Sequence, residues 1–154
     1  MSVQPIPEGS GGLIPSLSVD DAAGAIEFYK RAFGATEYGR MEGPGGMIAH
    51  ASIEINGARL MLADPFPQSD VRPPKELRAT TISVFMYVED VDAAVQQAVD
   101  AGATVVMPTD DMFWGDRWGM VADPYGHHWE LATHVEDLSP EEMQERGRQA
   151  MAAM

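Results

Sequence analysis

The chain has 154 residues, 45% of them hydrophobic and 22% charged, which is typical of one globular domain or of two small repeated halves. Its 24 acidic and 10 basic side chains give a net charge of −14, which disfavours nucleic acids and anionic membranes as partners. The sequence has no cysteine, which excludes thiolate nucleophiles, disulfides and cysteine-bound metals.

The N-terminal segment, residues 1–12, has neither the basic region nor the apolar stretch of a signal peptide, and we expect a flexible N-terminus. No apolar run approaches the roughly 20 residues of a membrane span. Both observations lead us to expect a cytoplasmic protein.

Residues 13–63 predict a first module with the element order β-α-β-β-β. Asp20 lies where an acid favours the start of a helix, and Gly34 is a natural helix end. Asn56-Gly57 predicts a tight hairpin between two strands. The strands after the helix are predicted over 36–42, 47–55 and 58–62.

Residues 64–79 contain four prolines and little periodicity, which predicts a linker. Its length allows two modules to pair within one chain or to swap between two chains. We therefore expect a homodimer, with domain swapping left open.

Residues 80–134 repeat the pattern of the first module. In both, an apolar stretch ends in Val and two acids, and the following helix ends in Gly-Ala-Thr; Val88 lies 69 positions after Val19. The predicted elements are a strand over 81–88, a helix over 90–101, and strands over 103–108, 118–122 and 127–134. The tail, 135–154, predicts a helix that begins at Ser139-Pro140. The predicted fold is α+β: two repeated β-α-β-β-β modules that form a cupped mixed sheet with helices on its outer side.

Strand alternation assigns one set of side chains to the concave face of this sheet. Glu130, between Trp129 and Leu131, is the best candidate for a general base or a binding anchor. His50 can complete an acid–base pair with it. The alternatives are a Glu130 that is partly solvated or hydrogen-bonded to Arg59 or Arg117, and a His50 with a structural or pocket-lining role. The predicted ligand-binding residues on this face are Arg59, Met61, Ser83, Phe85 and His128.

Residues 110–119, with the sequence DDMFWGDRWG, predict an aromatic loop that closes over the pocket. Trp114 and Trp118 can stack on a planar or cationic ligand, and Arg117 can bind a carboxylate or phosphate with both arms of its guanidinium. The alternative is an Asp116-Arg117 turn with aromatic residues at a dimer interface.

The two modules, the sequence FYKRAFGA (28–35) and the sequence DPYGHHWEL (123–131) together resemble the vicinal oxygen chelate superfamily. The closest likeness is to its glyoxalase/bleomycin-resistance group and the PhnB-like branch, over about residues 13–134. In metal-dependent members each module supplies two metal ligands, one from its first strand and one from its last. The matching positions here are Ile14, Met61, Ser83 and Glu130.

Only Glu130 among these four positions carries a good ligand for a divalent metal, so we predict no metal and no other cofactor at this site. The favoured function is metal-free binding of a small aromatic or cationic compound, for which drug sequestration, as in bleomycin resistance, is one version. The alternative is a glyoxalase-like lyase or isomerase, with a relocated metal at His50, His128 and Glu130 or with a His/Glu acid–base pair. A structural or regulatory dimer is a third hypothesis, and the sequence leaves open whether the protein is an enzyme.

Overall fold

The computed structural model describes residues 3–154, and the chain divides into two compact units. Residues 1 and 2, part of the predicted N-terminal segment, lie outside the described residues. The first unit runs to Thr80 and includes Pro124–Gly126, and the second comprises 81–123 and 127–154. None of the helices in residues 3–154 is long and apolar enough to cross a membrane.

The first unit contains a four-stranded mixed sheet in the order β1-β4-β3-β2. Strand β1 is parallel to β4, and the other neighbours are antiparallel. The elements are β1 (Ser16–Ser18), α1 (Ala22–Phe33), β2 (Thr36–Glu42), β3 (Ile48–Ile55), β4 (Ala58–Ala63) and α2 (Pro74–Leu77). The predicted hairpin at Asn56-Gly57 is confirmed, and both residues have a positive φ, as a type I′ turn requires.

The second unit repeats this arrangement in the order β5-β8-β7-β6, with β5 parallel to β8. Its elements are β5 (Ser83–Tyr87), α3 (Val91–Ala101), β6 (Thr104–Asp111), β7 (Asp116–Ala122), β8 (His128–His134) and α4 (Pro140–Ala152). Helix α4 begins with a capping box between Ser139 and Glu142. The predicted α+β fold of two β-α-β-β-β modules is confirmed.

Each unit buries one face of its sheet against a helix. Helix α1 contributes the buried side chains of Ile26, Phe28 and Tyr29, and α3 contributes Val91 and Val95. The helices begin at Asp21 and Asp90, whose carboxylates accept backbone N–H groups of the first turn. The buried sheet residues include Leu17, Ile53, Leu60 and Leu62 in the first unit and Val121, Trp129 and Leu131 in the second.

The strand registers show which positions of the two modules are equivalent. Ser16 lies opposite Met61 in the first sheet, and Phe85 lies opposite Glu130 in the second. Each residue of the second pair follows its counterpart by 69 positions, the same displacement as between Val19 and Val88. Met61 and Glu130 therefore occupy the same place in their two sheets.

The region predicted as an aromatic loop over 110–119 is mostly a β-hairpin, and this prediction is wrong. Strand β6 continues to Asp111 and β7 starts at Asp116, so the turn consists of four residues only. The backbone N–H of Met112 donates to the carbonyl of Asp116, which closes the hairpin. A hairpin arranges its side chains by strand alternation, and this decides which of them share a face.

Candidate functional site

Glu130 lies in the middle of β8, with one neighbouring strand on each side. Ser83 on β5 donates its hydroxyl to Glu130 Oε1, and Trp118 on β7 donates its indole N–H to Oε2 at 3.0 Å. Both carboxylate oxygens are thus held by donors from adjacent strands. Each still has a lone pair that a ligand can approach.

Two exposed aromatic rings lie beside this carboxylate. Phe85 is directly opposite Glu130 in the register of β5 and β8, and 44% of its surface is exposed. Tyr87 follows on the same face, is 53% exposed, and packs edge-to-face with Phe85 at 5.1 Å between ring centroids. Exposed rings next to a fixed carboxylate offer stacking area and negative charge to the same ligand.

A second carboxylate, Asp116, is buried at the start of β7. Its Oδ2 accepts the Tyr87 hydroxyl at 2.9 Å and the Trp114 indole N–H at 3.1 Å, and its Oδ1 lies 2.8 Å from His134 Nδ1. Asp116 therefore orients two of the aromatic side chains on this face, Tyr87 and Trp114. The sequence predicted Asp116 only as part of the aromatic loop or of a turn with Arg117, and not as a site residue. The signal that could have identified it was its position among three aromatic residues.

Arg117 does not lie with Trp118 and Glu130, so the structure places it apart from the predicted ligand-binding residues Ser83, Phe85 and His128 of the same sheet. It is adjacent to Trp118 in β7, so alternation turns it to the side of the sheet covered by α3. There its guanidinium binds Asp92 on α3, with Nε–Oδ2 at 2.7 Å, and Asp111 at 3.2 Å. These two carboxylates hold the Arg117 guanidinium on the side of the sheet opposite Glu130.

The conspicuous turn DPYGHH is built around a buried aspartate. Asp123 is 5% exposed; its Oδ1 accepts the His127 backbone N–H at 3.0 Å and its Oδ2 accepts the Trp129 indole N–H at 2.9 Å. Of the three histidines in or near this turn, His128 and His134 share the face of Glu130 by strand alternation, and His128 lies opposite Ser83. The turn thus positions β8, and Asp123 is a structural residue that sequence reasoning missed.

In the first unit, His50, Arg59 and Met61 share one face of the sheet, since the register pairs Ser52 with Met61. Arg59 is engaged within its own sheet: its guanidinium lies 3.8 Å from the centroid of the Tyr38 ring and donates to the Ser52 hydroxyl at 3.4 Å. His50 is half-buried on the same face. Arg59 is consequently a stacked cation over an exposed tyrosine.

The metal that the resemblance implies does not fit these residues. The side chain of Ile14 has no donor atom, Met61 offers only a soft thioether, and Ser83 offers only a neutral hydroxyl. Glu130 alone among the four positions is a good ligand for a divalent metal. Within residues 3–154, no three His, Asp or Glu side chains come together in an arrangement that can hold a metal ion.

His134 allows a test of the Asp116 cluster by pH. Hydrogen bonds to Asp116 and then to Asp137 raise the pKa of His134 above its usual 6.5. Because the pKa is higher in the folded state, this interaction stabilises the protein fully below pH 6.5 and is lost as pH rises through the folded pKa. In an NMR titration of the histidine ring signals we expect Asp116→Asn to lower the His134 pKa more than Asp137→Asn does. Equal effects of the two variants would contradict the dominant role of Asp116.

Comparisons with known proteins identify the family. The family model for the Glyoxalase/Bleomycin resistance protein/Dioxygenase superfamily matches residues 14–131. An uncharacterized protein of Mycobacterium bovis is 48% identical over 135 residues, covering 86% of this chain and 89% of the relative.

Solved structures with the same fold include TioX from Micromonospora sp. ML1, with 29% identity, a TM-score of 0.65, and coverage of 81% of this chain and 99% of TioX. A PhnB protein from Bacillus cereus has 19% identity, a TM-score of 0.62 and coverage of 79% and 98%, which shows a shared fold. The chain therefore belongs to the glyoxalase/bleomycin resistance protein/dioxygenase superfamily, as its two-module fold and its DPYGHHWEL sequence predict.

Proposed function

We propose that this protein binds a small planar aromatic cation without a metal, on the face of the second sheet that carries Glu130. The observation that carries the proposal is the carboxylate of Glu130 held by Ser83 and Trp118 beside the exposed Phe85 ring. We also propose that the protein forms a homodimer, with or without domain swapping. The binding test below does not depend on the oligomeric state.

The chemistry of this face favours a cation over an anion. Glu130 presents negative charge, and the aromatic faces of Phe85 and Tyr87 attract positive charge as well. Arg117, the one basic side chain of β7, points to the opposite side of the sheet and is paired there. An anionic ligand on the Glu130 face would meet a carboxylate with no compensating arginine from this strand.

Proflavine, a planar aromatic cation, is a suitable probe, and 9-anthracenecarboxylate is an anion with a similar three-ring frame. We expect proflavine to bind at least about tenfold more tightly than the anion. Glu130→Gln should lower the affinity for proflavine about tenfold, which is the effect of losing one charge-assisted contact. Phe85→Ala should lower the affinity for proflavine a few-fold, because the stacking surface is lost. Fluorescence titration and calorimetry measure all of these affinities.

Glu89→Gln is the matched control, because Glu89 is exposed just beyond the end of β5 in the same unit. It removes one negative charge without touching the proposed site, and the chain has a net charge of −14 that attracts any cation weakly. Equal losses of affinity in Glu130→Gln and Glu89→Gln would show that only this general attraction operates, and the proposal would be wrong.

A metal-dependent lyase or isomerase is the competing activity, and it makes a different prediction. Protein purified without chelator and incubated with Ni²⁺, Zn²⁺, Mn²⁺ or Fe²⁺ should then retain one equivalent of metal after gel filtration. Retention of metal that is lost in Glu130→Ala would overturn metal-free binding, whereas metal-free protein that binds proflavine supports it.

A further inference from the structure

The first unit contains a pocket of about 250 Å³ that lies within this unit alone. Its floor comes from side chains of β1, β3 and β4, including Ala49, His50 and Ala63. Its wall includes residues of the stretch 65–71, which belongs to the segment predicted as a linker. This part of the segment therefore lies against the sheet and forms one side of an open pocket.

His50 is a polar side chain of this pocket whose ring nitrogens are available to a ligand. Its imidazole is half-buried, lines the pocket and has no hydrogen-bonding partner among residues 3–154. One ring nitrogen of a neutral imidazole donates and the other accepts, so His50 can bind either kind of polar group. A hydroxyl or carbonyl group of a ligand would supply one.

The charges around the pocket favour an uncharged ligand. No Lys or Arg is among its lining residues, so an anion would find no fixed cation there. Asp64 is acidic, but its carboxylate already accepts the backbone N–H groups of Ala22 at 2.8 Å and Ile48 at 2.7 Å. These bonds connect the end of β4 to the start of α1 and to β3. The Asp64 carboxylate therefore has a structural role.

The volume of the pocket and the residues at its rim indicate the size and the apolar character of the ligand. Its volume lies just below the roughly 300–1,000 Å³ of pockets for drug-sized molecules, which suits one or two fused rings. Phe66 at the rim is 42% exposed, and Val71 beside it is also exposed. A flat apolar molecule would cover both side chains and gain hydrophobic contact.

We propose that the first unit binds an uncharged one- or two-ring aromatic compound whose hydroxyl or carbonyl group forms a hydrogen bond with His50. The rings of this compound lie between Phe66 and the alanine floor of the pocket. This site belongs to the first unit and takes an uncharged ligand, so it is independent of the cation site proposed at Glu130.

The probe for this proposal is 2-naphthol, which is uncharged at pH 7, and its anionic counterpart is 2-naphthoate. In methyl NMR spectra of the full chain, 2-naphthol should shift the signals of Ala49, Ala63 and Val71 in a saturable way. We expect 2-naphthoate to bind about tenfold more weakly, because the pocket offers it no cation. Saturable shifts confined to other methyl groups, or equal binding of the two probes, would overturn the proposal.

Two substitutions test the pocket itself. His50→Leu keeps the bulk of the side chain but removes the hydrogen bond. It should lower the affinity for 2-naphthol about tenfold. Ala63→Met fills the floor of the pocket and should lower the affinity for 2-naphthol at least as much. The control is Ala58→Met, which adds the same side chain to an exposed position of the same strand outside the pocket and should leave the affinity unchanged.

If Ala63→Met does not fold, as judged by its NMR spectrum, Ala49→Leu fills the same floor and replaces it. Equal affinities in Ala58→Met and in the folded floor variant would overturn the proposal. Glu130→Gln should bind 2-naphthol like the unsubstituted protein, so a failure at this pocket is distinguishable from a failure at the Glu130 site.

Discussion

Replacing Asp123 with alanine is expected to lower the free energy of unfolding by about 3 kcal/mol, because two buried donors lose a charged acceptor. The donors are the backbone N–H of His127 and the indole N–H of Trp129, at 3.0 and 2.9 Å. Urea denaturation monitored by tryptophan fluorescence measures the change. Asp123→Asn should also destabilise the protein, since an amide group presents a donor to one of these two N–H groups.

Asp70→Ala is the control for this prediction, because Asp70 is exposed in the first unit. Its effect should stay within about 0.5 kcal/mol, as for most surface substitutions. A loss below about 1 kcal/mol for Asp123→Ala would show that the turn holds β8 without its aspartate. In that case Asp123 would not be the residue that positions Glu130.

Replacing Gly115 with alanine is expected to lower the free energy of unfolding by about 2–3 kcal/mol, the cost of a strained backbone together with a steric clash. Gly115 has φ +96, and an added Cβ would lie 2.3 Å from the backbone oxygen of Glu136. Its carbonyl also accepts the N–H groups of Val135 and Glu136, so the segment after β8 would have to move. Hydrogen exchange of these two amides, together with urea denaturation, measures the effect.

Gly39→Ala is the matched control, since an added Cβ at Gly39 in β2 would meet no atom within 4 Å and its φ lies outside the left-handed region. It should be neutral or slightly stabilising, because alanine restricts the unfolded chain more than glycine does. Unchanged protection of the Val135 and Glu136 amides in Gly115→Ala would contradict the close packing of the hairpin turn against the segment after β8.

The fold was predictable because its signals are local. Asn56-Gly57 adopts positive φ at both residues, which only a few residue types tolerate. Gly34 ends α1 with a positive φ, which glycine adopts without a steric penalty. The alternation of β8 correctly separates Trp129 and Leu131 from Glu130, because a strand turns successive side chains to opposite faces.

The candidate site was less predictable because its contacts join residues far apart in the chain. Ser83 binds Glu130 across 47 positions, and Arg117 binds Asp92 across 25. The first bond depends on the parallel pairing of β5 with β8. The second depends on where β7 begins, and the run of aromatic residues before β7 resembles a loop. Once β7 starts at Asp116, alternation directs Trp118 toward Glu130 and Arg117 toward α3.

The sequence by itself determined the repeated modules, the positions of the turns, and the absence of hard metal ligands at Ile14 and Met61, because periodicity, backbone restrictions and donor chemistry belong to individual residues. The tertiary structure decided which donors hold Glu130, that Arg117 pairs with Asp92, and that part of the segment after β4 lines a pocket at His50. Strand pairing and register bring these groups together, and register is a property of two segments rather than one.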